Sequence, residues 1–115
     1  MKVVYASRTG NVETMIGKLG IEAEKIETGD ELVDEPFILI TYTDGYGEVP
    51  FEVTAFLGNN AANLKGVIAS GDTAYGEAFC KSGDVIAEEY GVPYLYHFEN
   101  DGNDEDVEKI LELVK

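Results

Sequence analysis

Several residue types are scarce in this 115-residue sequence, which holds one cysteine, one histidine, one arginine and three prolines. Cys80 alone cannot form an internal disulfide, so the expected setting is a reducing cytoplasm. With His97 as the only imidazole, a Cys/His zinc centre is excluded. Positive charge is also short: 8 Lys and Arg stand against 23 Asp and Glu, a formal net charge of −15. That balance excludes a nucleic-acid backbone or an anionic membrane surface as a direct partner. No apolar run approaches the roughly 18–20 residues of a bilayer span. The opening stretch from Met1 to Asn11 turns polar too soon for a secretory signal peptide. No repeat, low-complexity tract or Pro/Ser-rich linker interrupts the chain, so one domain over residues 1–115 is expected.

What is present is a core-forming composition. Hydrophobic residues make up 44% of the chain, too many for an acidic disordered polymer. Short apolar runs alternate with helical periodicity. Val3 to Ala6 reads as a buried strand, and Val12, Met15, Ile16 and Leu19 as the stripe of an amphipathic helix. Residues 22–27 suggest a short, weak edge strand. The run from Pro36 to Tyr42 is an uncharged, β-branched and aromatic strand suited to a sheet covered on both faces. Pro50 suits the first position of a helix with Val53, Phe56 and Leu57 on one face. Gly66 to Ser70 is the next strand. Phe79, Gly83, Ile86, Ala87 and Tyr90 give a further helical face, and Val92 to Phe98 a last strand. Asn103 is a good N-cap for a final helix, with Asp104, Glu105 and Asp106 in its first turn and Val107, Ile110, Leu111 and Val114 as its stripe. Strands alternating with helices predict an α/β sandwich of three layers, its five parallel strands ordered 2-1-3-4-5. In such a sheet the ligand site lies beyond the C-terminal strand ends, near the switch point between strands 1 and 3.

Three loops are expected there. The first, Ser7-Arg8-Thr9-Gly10-Asn11, joins the first strand directly to a helix. Backbone N–H groups at a helix N-terminus bind anions, and the hydroxyls add donors. It holds the chain's only arginine; it also reads as a plain strand–helix turn. The second loop begins at Thr41-Tyr42-Thr43-Asp44 and continues through Gly45-Tyr46-Gly47, where two glycines flank an aromatic ring. The bland reading is a surface turn with Tyr46 packed on its neighbours. The third, Ser70-Gly71-Asp72-Thr73-Ala74-Tyr75-Gly76, repeats the theme. Together they suit a planar, aromatic, phosphorylated ligand held between aromatic side chains.

The SRTGN loop resembles the phosphate loop of flavodoxins. The segments PFILITYTDGYGEVPFEVTAFL and ASGDTAYGEAFCKSGD carry a more specific resemblance, to the NrdI family, and the likeness covers nearly the whole chain. Members are small FMN proteins that serve class Ib ribonucleotide reductase. The resemblance implies noncovalent FMN, whose reduced form reacts with O2 to supply a superoxide-level oxidant. That oxidant serves assembly of the dimanganese-tyrosyl radical cofactor of the reductase small subunit. It implies an accessory redox protein rather than a stand-alone enzyme, fed by a flavin reductase, flavodoxin reductase or redoxin. Carried over by position, Ser7, Arg8, Thr9, Gly10 and Asn11, followed by Val12, hold the phosphate. Thr43, Asp44, Gly45, Tyr46 and Gly47, with Thr41 and Tyr42 at their base, line the ring. The Gly45-Tyr46-Gly47 backbone faces flavin N5 and changes orientation with redox state. Ser70, Gly71, Asp72, Tyr75 and Gly76 form the other side. Asp72 stands where many relatives carry Asn, and a carboxylate pointing inward would disfavour an anionic reduced ring.

Other residues read as structural. Cys80 follows Phe79 on an apparent helix as semi-buried packing; a phosphatase C-x5-R loop is excluded because position 86 is Ile86. His97 reads as a structural residue of an aromatic strand. The acids of 22–35 and 99–112 read as solvated faces. Three alternatives remain: a general single-electron flavodoxin, a phosphoacceptor receiver domain and a nonredox binding module. The receiver requires acids after strand 1 and an Asp ending strand 3, where Ser7-Arg8 and Thr41-Tyr42-Thr43 stand instead.

Overall fold

Alternation along one buried strand sets the layering. The computed structural model describes residues 1–114. Its strands are β1 (Lys2–Tyr5), β2 (Glu24–Lys25), β3 (Phe37–Tyr42), β4 (Leu64–Gly71) and β5 (Tyr94–Glu99). Its helices are α1 (Asn11–Leu19), α2 (Phe51–Asn60), α3 (Lys81–Tyr90) and α4 (Asp104–Val114). Short 3-10 turns cover Ala61–Asn63 and Thr73–Ala78. Every strand pair is parallel, and the order is β2-β1-β3-β4-β5, the expected doubly wound topology.

In central β3, Phe37 and Leu39 face one helical layer, while Ile38 and Ile40 face the other. Phe37 and Leu39 pack with Val53, Phe56 and Leu57 of α2 and Ile86 of α3. The Phe37 and Phe56 rings meet edge to face, 5.6 Å between centroids. Ile38 and Ile40 pack with Val12, Met15, Ile16 and Leu19 of α1 and Ile110 and Val114 of α4. Period two in the strand thus divides one apolar run between two cores.

Element boundaries move where hydrogen bonding overrides pattern. The expected 22–27 strand has only Glu24 and Lys25 in the ladder, although Ile26 N–H still donates to Tyr5 C=O at 2.7 Å. Its charges and shortness suit a sheet edge. β4 begins earlier than expected, at Leu64, because β3 pairs with it from Phe37 onward. β5 begins at Tyr94 rather than Val92, after Pro93, which has no N–H for the ladder. Pro50 has φ −55° and ψ 143°, so it caps α2 from outside instead of opening it. Phe79 and Cys80 also lie outside α3, contrary to the sequence reading. Cys80 has φ 54° and is fully buried, with Sγ 3.5 Å from Phe98 O. Burial pushes its thiol up to about 12, so it is an inert packing group. His97 is exposed on β5, stacked beside Tyr96 and edge-on to Phe79. Asn103 caps α4 as expected: its Oδ1 accepts Asp106 N–H at 2.9 Å, and Asp106 Oδ2 accepts Asn103 N–H at 2.9 Å.

Candidate functional site

All three predicted loops meet at the C-terminal end of the sheet, around a cleft of about 380 Å³. That volume falls within the usual range for small-ligand sites. The first loop contributes Arg8, Thr9 and Asn11, the second Tyr42, Thr43 and Gly45, and the third Ser70, Gly71, Asp72 and Tyr75.

The first loop is shaped by the start of α1. Gly10 sits in the left-handed region at φ 98° and offers no side-chain cap. Ser7 substitutes for that cap, its Oγ accepting Glu13 N–H at 3.2 Å. Thr14 N–H makes the first helical bond, to Gly10 C=O at 2.9 Å. The N–H groups of Asn11 and Val12 precede that bond and have no intrahelical acceptor. They give the positive end of the helix donors suited to an anion. Ser7 and the buried Val12 side chain therefore support the loop from behind instead of lining the cleft.

The second loop is a tight hairpin. Asp44 and Glu48 exchange backbone bonds of 2.9 and 2.8 Å, and Gly47 N–H donates to Asp44 C=O at 3.1 Å. Gly47 has φ 110°, and a β-carbon there would come within 2.9 Å of Lys81 Cδ, so a side chain is excluded on both counts. Tyr46 stands at the tip, 79% exposed. Its ring meets Tyr75 edge to face with centroids 5.5 Å apart. The two expected stackers therefore touch each other across the mouth rather than standing on opposite walls.

The third loop is built of two 3-10 turns kinked at Gly76. Asp72 caps it: Oδ1 accepts Ala74 N–H at 2.9 Å. A carboxylate committed to that bond acts first on the loop, not on a ligand ring. Thr73 Oγ1 donates to Glu99 of β5. At Gly71 a β-carbon would lie 2.7 Å from Cys80 N, so this loop packs against the entry to α3 without room for a side chain.

Hydroxyls tie the loop bases together. Thr43 Oγ1 donates to Ser70 C=O at 3.0 Å and lies 2.8 Å from Ser82 Oγ, which is 3.3 Å from Tyr42 O. Thr41 is fully buried and bonds Tyr42 C=O at 2.9 Å, so it supports the loop and does not line the cleft. Two contributors escaped the sequence reading. Ser82, fully buried, belongs to a helix face read only for its apolar residues. Asn100 lines the cleft with φ 52°; its N–H donates to Gly71 C=O at 2.8 Å, and its C=O accepts from Ser70 Oγ at 2.5 Å. The signal was there, since Asn tolerates the left-handed region and directly follows the fifth strand.

Electrostatics centre on one pair. Arg8 donates through Nη2 to Asp44 Oδ1 at 2.5 Å and through Nη1 to Oδ2 at 3.3 Å. Hydrogen bonding to Arg8 holds the Asp44 carboxyl below its ordinary range. Tyr42, half-buried, donates to Glu52 at 2.7 Å; burial and that bond raise its phenol well above the usual value.

Comparison with known proteins decides what kind of fold carries this cleft. Residues 3–112 match the family model described as NrdI flavodoxin-like. The chain belongs to the NrdI flavodoxin-like family. It is 42% identical over 115 residues to Protein NrdI of Bacillus licheniformis, covering all of this chain and 88% of that one. It is 41% identical over 109 residues to Protein NrdI of Macrococcus caseolyticus, covering 95% and 84%. Among solved structures, a short-chain flavodoxin associated with a bacterial microcompartment superposes with TM-score 0.71 at 23% identity, over 96% of this chain and 90% of that one. Oxidised flavodoxin 1 of Bacillus cereus gives 0.66 at 25% identity, over 96% and 91%. A Fusobacterium nucleatum flavodoxin bound to flavin mononucleotide gives 0.62 at 18%, over 96% and 90%. The flavodoxin fold and membership of the NrdI family thus agree with the order of strands and the position of the cleft.

Proposed function

We propose that the cleft binds FMN and that the chain serves class Ib ribonucleotide reductase as a cytoplasmic redox accessory protein. One observation carries the reading: an anion site and an aromatic site share a single cleft. At one end lie the free N–H groups of α1 with Thr9 and Arg8; Tyr75 lines the other part of the cleft, with Tyr46 edge-on to it at the mouth. The donor set fits a phosphorylated flavin. Hydroxyl, amide and guanidinium groups surround the anion end, and the nearby Asp44 and Asp72 carboxylates are already engaged by Arg8 and by Ala74 N–H.

Asn11 and Val12 donate their backbone N–H groups to the phosphate, and Thr9 adds a hydroxyl. Asn100, Gly71 and Ser70 form the wall that orients the ring, and the hairpin of residues 44–48 closes over it. Tyr46 and Tyr75 stack on the ring. Aromatic stacking needs roughly 3.5 Å on each face of the ring, so Tyr46 swings away from Tyr75 to admit it. Its exposure leaves that rotation unobstructed. Bound FMN, once reduced, supplies electrons to O2 and so the oxidant used in dimanganese-tyrosyl radical assembly by the reductase small subunit. The acidic rim of Asp44, Glu48, Asp72 and Glu77 steers a basic partner to the mouth, whether that small subunit or the donor flavin reductase, flavodoxin reductase or redoxin.

The purified protein is expected to take up FMN and absorb at about 375 and about 450 nm. A colourless protein that takes up no added FMN overturns the flavin reading. The reductase role is tested by anaerobic reduction followed by O2, with manganese-loaded small subunit present. Radical formation only with the reduced protein supports the role. Equal radical yield without it leaves a general single-electron carrier instead.

A further inference from the structure

One side-chain link joins the anion end of the cleft to the ring end. Both Nη atoms of Arg8 bind the Asp44 carboxylate, 36 residues away in sequence. Asp44 Oδ1 also accepts Gly45 N–H at 3.0 Å. The carboxylate that holds the arginine therefore holds the first peptide of the hairpin as well. The guanidinium lies 5.2 Å from the centroid of the Tyr42 ring, so it spans the gap between the first two loops. The pair is open to water, with side-chain exposures of 58% for Arg8 and 32% for Asp44. An exposed pair is weakly held and yields to a stronger anion. A phosphate dianion is such an anion, and a guanidinium binds it in the same bidentate way as a carboxylate.

We propose that Asp44 is an internal competitor for Arg8. A phosphate at the N-terminus of α1 draws the guanidinium off Asp44, and the hairpin of residues 44–48 is released to settle on the ring. The inference rests on the FMN reading above and adds to it a coupling between the two ends of the cleft. A flavin without phosphate has nothing to draw Arg8 away, so it binds with the Arg8–Asp44 pair intact and gains nothing from its removal. Phosphate recognition and the setting of the ring-side loop become one event.

The test is a double-mutant cycle read by flavin fluorescence in equilibrium titrations. Wild type, Asp44→Asn, Arg8→Gln, the double variant and Glu77→Gln are each titrated with FMN and with riboflavin. Asn at position 44 retains an oxygen for Gly45 N–H, and urea denaturation checks that each variant folds. Removing the competitor is expected to tighten FMN binding by about twofold where Arg8 is present, the worth of an exposed pair, but by less than about 1.3-fold when Arg8 is already absent. Riboflavin binding is expected to change less than about 1.3-fold, as is FMN binding to Glu77→Gln, which removes the same charge from the acidic rim without touching Arg8. Weaker or unchanged FMN binding by Asp44→Asn overturns the proposal. So does an equal gain in both Arg8 backgrounds, an equal gain for riboflavin, or an equal gain from Glu77→Gln. If wild type binds FMN and the cycle is additive, only this inference fails; if wild type binds no flavin, the functional reading fails with it.

Discussion

The connection from residues 27 to 36 and the hairpin from 44 to 48 are both acidic, glycine-bearing loops, yet they are held by opposite means. The first is pinned from inside. Asn60, only 3% exposed, accepts Val33 N–H at 2.8 Å and donates to Glu31 C=O at 2.8 Å and Phe56 C=O at 2.9 Å. Glu31 folds back to accept the N–H groups of Glu27, Thr28 and Gly29 at 2.9, 3.1 and 2.9 Å. Val33 is thereby plugged into the α2 core. The hairpin instead closes on its own backbone and reaches the rest of the molecule through an exposed ion pair and an exposed tyrosine. A saturated buried polar group leaves a loop no cheap alternative, because any departure strands a donor or acceptor away from water. Water replaces the contacts of an exposed loop, so a ligand can rearrange it. Rigidity is placed behind the cleft and freedom at its mouth.

Substitutions should separate the two regimes. Asn60→Ala removes two buried hydrogen bonds and one part-buried one and is expected to cost about 2–4 kcal/mol in urea denaturation. A loss comparable to that of a surface substitution would break the contrast.

Glu31→Gln comes next, at about 1 kcal/mol near neutral pH. This contribution depends on pH. Burial raises the Glu31 pKa, but the backbone N–H groups it accepts lower it further, leaving it below the ordinary 4.5. The native state therefore favours the carboxylate. Its contribution is fully present above the unfolded value of about 4.5 and is lost as pH falls through the lower native value. Stability measured against pH should show wild type and Glu31→Gln converging in acid; a constant gap would assign the effect to packing instead.

The hairpin should respond least. Asp44→Asn is expected to change stability by no more than about 0.5 kcal/mol near neutral pH, as exposed pairs do. Hydrogen bonding to Arg8 holds Asp44 below its ordinary 3.8, so even that small contribution disappears as pH falls through the depressed value. Tyr46→Ala sharpens the comparison most. Its effect on unfolding should stay within about 0.5 kcal/mol, while FMN affinity falls by about tenfold from lost stacking. A large stability loss with unchanged flavin affinity would reverse the assignment of roles.

Much of this was legible in the residues alone. The stripes of Val12, Met15, Ile16 and Leu19 and of Val53, Phe56 and Leu57 are repeating local patterns, and each stripe is buried. The run from Phe37 to Tyr42 announced a central strand because no other environment suits so many uncharged β-formers in sequence. The Asn103 cap and the position of the three loops followed in the same way. Cys80 misled because its neighbours share a helical period, whereas its left-handed backbone just before α3 arises from packing under Gly71.

By itself the sequence determined the alternation of strands and helices, the family, and the end of the sheet at which the three loops gather. Those properties depend on neighbours within a turn or a pleat, or on motifs preserved whole. Only the tertiary structure decided which polar groups meet. Arg8 with Asp44, Thr43 with Ser82, Ser70 with Asn100 and Asn60 with Val33 join residues 36, 39, 30 and 27 positions apart. The crossing of the chain between strands sets such pairings, and a hydrogen bond is satisfied by geometry rather than by residue type. Many residues in the chain could have partnered Arg8; the fold brings Asp44 to it.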